Sequence, residues 1–152
     1  MTDTRMDESE TPKPEDWAGE MGARWLSGID RFEAMIAPIG DALLARAAVM
    51  PGERVLDLGC GGGKTSLVIA AAVGPSGSAT GIDISPDLIT RARERAAAAH
   101  VTNLDFECID AAVYRPVTPF DRMVSRFGSM FFPEPVEAFS NLHACLKPGS
   151  RM

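Results

Sequence analysis

The hydrophobic positions change period several times along the chain, and each change predicts an element. Short apolar runs at 54–58, 78–83 and 120–125 read as buried strands, and 103–109 alternates Leu104, Phe106 and Cys108 with Asp105 and Glu107 as a strand near a sheet edge does. Between them the period lengthens. The stretch 67–73 is apolar throughout, and Leu88, Ile89, Ala92 and Ala96 mark a helical face after Ser85-Pro86, a capping hydroxyl followed by proline in the first turn. Val136, Phe139, Leu142 and Leu146 mark a last helix, opened by Pro133-Glu134-Pro135 and ended by Pro148-Gly149. Upstream, Trp17, Met21, Trp25 and Leu26 share a face that Gly19 and Gly22 weaken. Ile29, Phe32, Ile36, Ile39, Leu43 and Ala47 then step by three or four, and Pro38 is expected to split that stripe into two segments.

Strands alternating with helices at this spacing imply right-handed βαβ units, hence an α/β fold with a Rossmann-like, doubly wound parallel sheet. Three regions follow: an acidic leader at 1–15, expected to be disordered; N-terminal helices at 16–50; and the α/β domain at 51–152. The N-terminal helices precede the first strand and so cover a sheet face or the mouth of a site. Their tryptophans either pack on the sheet or form a lid.

The turn after the first strand carries the candidate chemistry. Four glycines fall within residues 59–63, between a strand and a helix, which lets backbone approach a ligand and places a helix N-terminus beside it. A phosphate loop of the G-x-x-x-x-G-K-[ST] type fails, because Leu58 stands where its first glycine belongs. A dinucleotide G-x-G-x-x-G fails at Lys64. Asp57-x-Gly59-x-Gly61-x-Gly63 is what fits. A tight connection with no ligand remains the alternative for the turn alone.

In open α/β sheets ligands bind beyond the carboxyl ends of the strands. Acids stand at those ends. Asp83 closes the second strand, where an ionised carboxylate can accept from both hydroxyls of a ribose, and Asp110 follows the third, where it can accept from an adenine amino group. Nicotinamide-binding folds also use the first device, so a nicotinamide oxidoreductase domain stays as an alternative, disfavoured by Lys64. Ordinary solvation of strand ends is the bland account of each acid.

Composition narrows the classes. The 152 residues carry a net charge of −6 with 45% hydrophobic content, as one ordinary domain would. The first 20 residues hold seven acids and two bases, and the rest is nearly neutral, which gives no footing for nucleic acid or an anionic membrane. Cys60, Cys108 and Cys145 are scattered and odd in number, and His100 and His143 stand far apart, so neither a metal site nor a disulfide framework is expected and a cytoplasmic setting is. The longest apolar run, 67–73, is too short to span a bilayer.

Four ordered segments now carry a resemblance: 55–63; Gly81-Ile82-Asp83-Ile84-Ser85; Phe106-Glu107-Cys108-Ile109-Asp110-Ala111; and Phe120-Asp121-Arg122-Met123-Val124-Ser125, followed by Leu146-Lys147-Pro148-Gly149. Together they resemble the class I S-adenosylmethionine (SAM)-dependent methyltransferases. The run from Ser125 to Phe132, with the tryptophan helices, is similar to a quinone-biosynthesis-like branch acting on small molecules. The resemblance implies SAM as cofactor. Gly59, Cys60 (through its backbone) and Gly61 would line its methionine end, with Asp57 anchoring the turn or reaching the amino group through water. Asp83 would hold the ribose, Ile84 would pack on the adenine, Asp110 with Ala111 would read its edge, and the Ser125 carbonyl would face the methionine portion. Methyl transfer from a sulfonium needs donor and acceptor held in line rather than a protein nucleophile, so no catalytic residue is nominated. Arg126 either orients an anionic acceptor or pairs with Asp121 or Glu134.

The family sheet has seven strands, and this sequence stops where the fifth should begin. The expectation is a chain lacking its last strands, with the fourth strand left as an apolar edge open to self-association. SAM binding would then be weakened, and catalysis absent or dependent on oligomers. A non-catalytic SAM-binding or interaction module is the alternative reading.

Overall fold

A computed structural model describes residues 12–152. Three N-terminal helices, α1 (Pro14–Ala18), α2 (Glu20–Ser27) and α3 (Ile29–Ala47), precede an alternating series. It runs β1 (Arg54–Leu58), α4 (Lys64–Val73), β2 (Ser78–Asp83), α5 (Pro86–Ala98), β3 (Leu104–Cys108), β4 (Phe120–Ser125), α6 (Pro135–Ala144) and β5 (Leu146–Arg151). All strand pairs are parallel, in the order β3-β2-β1-β4-β5. The chain works outward from β1 to β3, then returns to place β4 on the other flank. The switch in strand order therefore lies between β1 and β4, and it opens the crevice where α/β sheets bind ligands.

Side chains alternate across the sheet and build two cores. Val55, Ala79, Phe106 and Val124 face Ile69, Val73, Ile89 and Ala92 of α4 and α5, with Leu43 and Leu44 of α3 packed against them. Leu56, Leu58, Ile82 and Met123 point the other way, onto Tyr114, Phe120, Leu142 and Cys145. As the central strand, β1 is buried on both faces, which is why its sequence reads as an unbroken apolar run except at Asp57.

The structure corrects several expectations. Helix α3 is continuous through Pro38. That residue sits on the exposed side, where the carbonyl freed by its missing N–H can be hydrated, so the helix passes through the proline rather than ending at it. Pro14 and Glu15, counted with the leader, belong to helix α1, where the Lys13 N–H donates to Asp16 Oδ2 at 2.8 Å; residues 1–11, on which the rest of that expectation falls, lie outside the described residues. A fifth strand does form. Leu146 leaves α6 and pairs with Phe120, so β4 is covered and the edge is β5 instead. That edge is blunted: Pro148 offers no N–H, Gly149 has a φ of +79°, and the register slips between Phe120 and Arg122.

Helix α3 is fastened at both ends. At its C-terminus Arg122 donates to the Ala47 carbonyl (2.6 Å) and grips Glu53 with two bonds (3.0 and 2.7 Å), which hold the Glu53 carboxyl below its usual range. The other end lies over the glycine turn.

Candidate cofactor site at the carboxyl ends of the strands

The turn after β1 folds as its glycines allow. Gly59, Gly61 and Gly63 take φ values of +66°, +54° and +77°. Gly59 is required for a second reason: a Cβ there would meet the Gly128 Cα at 2.6 Å, so the loops after β1 and β4 touch backbone to backbone. The turn is tied internally by Gly63 N–H to Cys60 O (3.0 Å) and to β2 by Cys60 N–H to Ile82 O (3.0 Å).

Asp83 is both staple and candidate ligand. Its Oδ2 accepts from the Gly61 N–H and its Oδ1 from the Ser85 N–H, each at 2.9 Å. Each oxygen keeps a second lone pair for a diol. Burial pushes its carboxyl up, opposed by those two amides.

Asp57 is fully enclosed at the end of β1, and Ser66 Oγ in the first turn of α4 donates to its Oδ2 at 2.6 Å. That bond holds the helix start against the strand. Burial raises the Asp57 carboxyl to about 6, against the pull of the Ser66 hydroxyl and the more distant Arg126 charge, with Asp83 adding to the rise. A buried acid with a raised folded pKa stabilises the fold below its unfolded value near 4, and that stability is lost as pH rises through about 6. Asp57→Asn keeps an acceptor for Ser66 and cannot ionise. The variant should therefore match wild type in urea near pH 4 and exceed it by up to ~3 kcal/mol at pH 8. An equal difference at both pH values would contradict this.

These groups line one cavity of about 380 Å³, within the range of small-molecule sites. Asp57, Gly59, Cys60, Gly61, Asp83, Ile84, Asp110 and Ala111 all face it. Asp110 Oδ1 accepts the Ala112 N–H (2.8 Å), and Ala111 O accepts from Asn141 (3.1 Å), which shapes the loop beyond β3. Ser125 stands apart. Its hydroxyl donates to Leu58 O at 2.9 Å, and its neighbour Arg126 is the one lining the cavity. The Cys60 thiol is buried and pushed up, which keeps it a thiol rather than a nucleophilic thiolate.

The roof is aromatic and apolar. Trp17, Trp25, Met35 and Ile36 descend from the N-terminal helices, and Phe127, Met130, Phe131 and Phe132 come from the loop after β4. Trp17 meets Phe131 with ring centroids 5.2 Å apart, and Trp25 stacks on Phe32 at 4.8 Å, so both tryptophans pack among aromatic rings at the cavity wall. Phe127 is held at φ +68°, a conformation that costs a bulky residue on the order of 1–2 kcal/mol and persists here beside the site.

Helix α5 carries Arg91, Arg93 and Arg95, and Arg95 is the one drawn inward. It donates to Glu33 Oε1 and Oε2 (2.8 and 3.0 Å), to Asp30 (3.1 Å) and to the Gly62 carbonyl (2.9 Å). It thereby joins α5, α3 and the glycine turn. No periodicity marks such a pair, whose members lie 62 positions apart. Arg126 makes neither expected ion pair, since Lys147 and the Arg54 N–H engage Asp121 instead (2.6 and 2.8 Å). Among the described residues no cluster of three or more metal-ligating side chains exists, and no helix is long and apolar enough to cross a membrane.

The donor set suits SAM. Asp83 can take a ribose, Ile84 and Ile109 offer apolar faces for a base, and Asp57 beside the turn suits cationic centres. Comparison agrees with the geometry. A methyltransferase domain family matches residues 50–152. The chain is 34% identical over 116 residues to the aklanonic acid methyltransferase of Streptomyces sp. (strain C5), covering 76% of this chain and 53% of that protein. It is 35% identical over 144 residues to an uncharacterized protein of Mycobacterium tuberculosis (strain ATCC 25618 / H37Rv), covering 92% and 52%. Among solved structures, a SAM-dependent methyltransferase from Thiobacillus denitrificans in complex with S-adenosyl-L-homocysteine (SAH) superposes with a TM-score of 0.60 at 30% identity, over 76% of this chain and 44% of that one. A [4+2]-cyclase superposes with a TM-score of 0.66 at 29% identity, over 74% and 42%. The chain thus spans about half the length of these two curated relatives. It belongs to the class I SAM-dependent methyltransferase family, whose cofactor is SAM.

Proposed function

We propose that the chain forms the cofactor-holding part of a methyltransferase acting on a small, mainly apolar acceptor. One observation carries this: the acids at the ends of three successive strands surround a single cavity whose opposite wall is aromatic. The bound cofactor supplies an activated methyl group. The protein's own part is to orient it through Asp57, Asp83 and Asp110 and to exclude water with Trp17, Trp25 and Phe131, so that proximity accounts for most of the rate. Cys60 is unsuited as a base by its raised pKa, so an acceptor that arrives ready to react fits best. The named activity of the Streptomyces relative supports a small organic acceptor. Scattered free cysteines support a cytoplasmic setting.

The test is transfer of tritium from methyl-labelled SAM to a panel of apolar small molecules, with Asp83→Asn as control. Transfer that wild type performs and the variant does not is the expected result. SAM binding without transfer to any acceptor would favour the second reading, a SAM-fold module with another role, which the likeness to a cyclase makes concrete.

A further inference from the structure

We infer that Arg126 is a carboxylate-binding residue of this cavity. The inference rests on the cofactor reading above and adds a residue to it. Arg54, Arg91, Arg95, Arg122 and Arg126 are the half-buried arginines among the described residues. Arg54 donates to Thr118 O, Arg91 pairs with Glu94, Arg95 with Glu33, and Arg122 with Glu53. Arg126 alone has no hydrogen bond or ion pair, yet it lines the cavity.

Its position is built. The residue follows Ser125, which lies opposite Leu58 in the sheet, so Arg126 emerges beside the glycine turn at the switch point. The guanidinium lies in the gap left by Gly40, where a Cβ would come within 2.7 Å of Nη1. Glycine inside a helix is less favourable than alanine, and here it makes room for that head group. Asp57 acts on Arg126 through space, and of the other acids lining the cavity Glu33 is committed to Arg95 and Asp83 to two backbone N–H groups.

With no acceptor on the protein, the donor fork of this guanidinium is left facing the cavity, and it matches a carboxylate in two parallel bonds. Asp57 and Arg126 together present an anion and a cation at one end of the cavity, which complements an α-amino acid zwitterion. The methionine end of SAM carries one; an acidic acceptor would carry a carboxylate alone. The chemistry is shared, and the experiment separates the sources.

The dissociation constants of SAH and of 5′-methylthioadenosine, which lacks the amino-acid tail, would be measured for wild type, Arg126→Met and Arg126→Lys. Binding of 2-naphthoate to the SAH-saturated proteins would be measured beside them. If the carboxylate is the cofactor's, Arg126→Met weakens SAH roughly ten- to a hundred-fold and leaves methylthioadenosine unchanged, with Arg126→Lys between. If it is the acceptor's, both nucleosides bind Arg126→Met as wild type and only 2-naphthoate binding is lost. Equal losses for SAH and methylthioadenosine would mark a merely structural role and overturn the inference, as would no change for all three probes. Wild type that takes neither nucleoside overturns the cofactor reading itself and this inference with it.

Discussion

Asp83→Asn is expected to weaken SAH binding by about two orders of magnitude while moving the melting temperature little. The two effects separate because Asp83 does two things. Toward a ribose it would offer charged acceptors, worth about 1.5–3 kcal/mol in a hydrogen bond, and an amide keeps only one neutral acceptor. Toward the protein it accepts the Gly61 and Ser85 N–H groups, and the amide leaves one of them facing Nδ2, at a cost of about 1–3 kcal/mol. Burial works the other way. The raised Asp83 carboxyl means that the folded state keeps this charge at a cost, which asparagine removes. Calorimetric titration with a parallel melt reads both quantities. Affinity within threefold of wild type would show that Asp83 holds the loop and nothing else.

Arg95→Met is expected to lower unfolding free energy in urea by about 3–5 kcal/mol, because it strands a buried carboxylate. Glu33 and Arg95 side chains are only 5% and 17% exposed, whereas the Glu20–Arg24 pair is 86% and 75% exposed and should contribute at most about 1 kcal/mol. The double variant Arg95→Met/Glu33→Gln should recover most of the loss, since an amide is far easier to leave without its partner. The loss should also be felt at the site. Gly62 has no room for a Cβ, which would lie 2.4 Å from Ile29 Cδ1, so α3 rests directly on the turn. Losing the Arg95 tie should speed hydrogen exchange at the Gly61–Gly63 amides before global unfolding. A single variant within 1 kcal/mol of wild type, with unchanged exchange, would contradict this account of α3.

Local chemistry made part of this architecture legible. The apolar run of β1, the glycine turn, and Ser85-Pro86, where Ser85 Oγ accepts the Leu88 N–H at 3.3 Å, each signal through neighbours in sequence. Elements settled by distant partners were not legible. Pro148-Gly149 reads as a stop, yet pairing with β4 draws Leu146–Arg151 into the sheet with a bulge. Pro38 reads as a break, yet a helix anchored at Glu33 and Ala47 carries one missing hydrogen bond on its wet side. The strand-end acids stood out because ionisable residues interrupt apolar runs. Arg95 and Gly128 did not, since their roles depend on segments that meet only in three dimensions, and for Arg126 the sequence left open the choice between an acceptor and an ion pair that the structure shows unmade.

Titration of SAH into the wild-type chain reads out the cofactor site itself. Saturable binding to one site per chain is expected, abolished or strongly weakened in Asp83→Asn. No heat of binding from protein that still shows a cooperative thermal transition would contradict it.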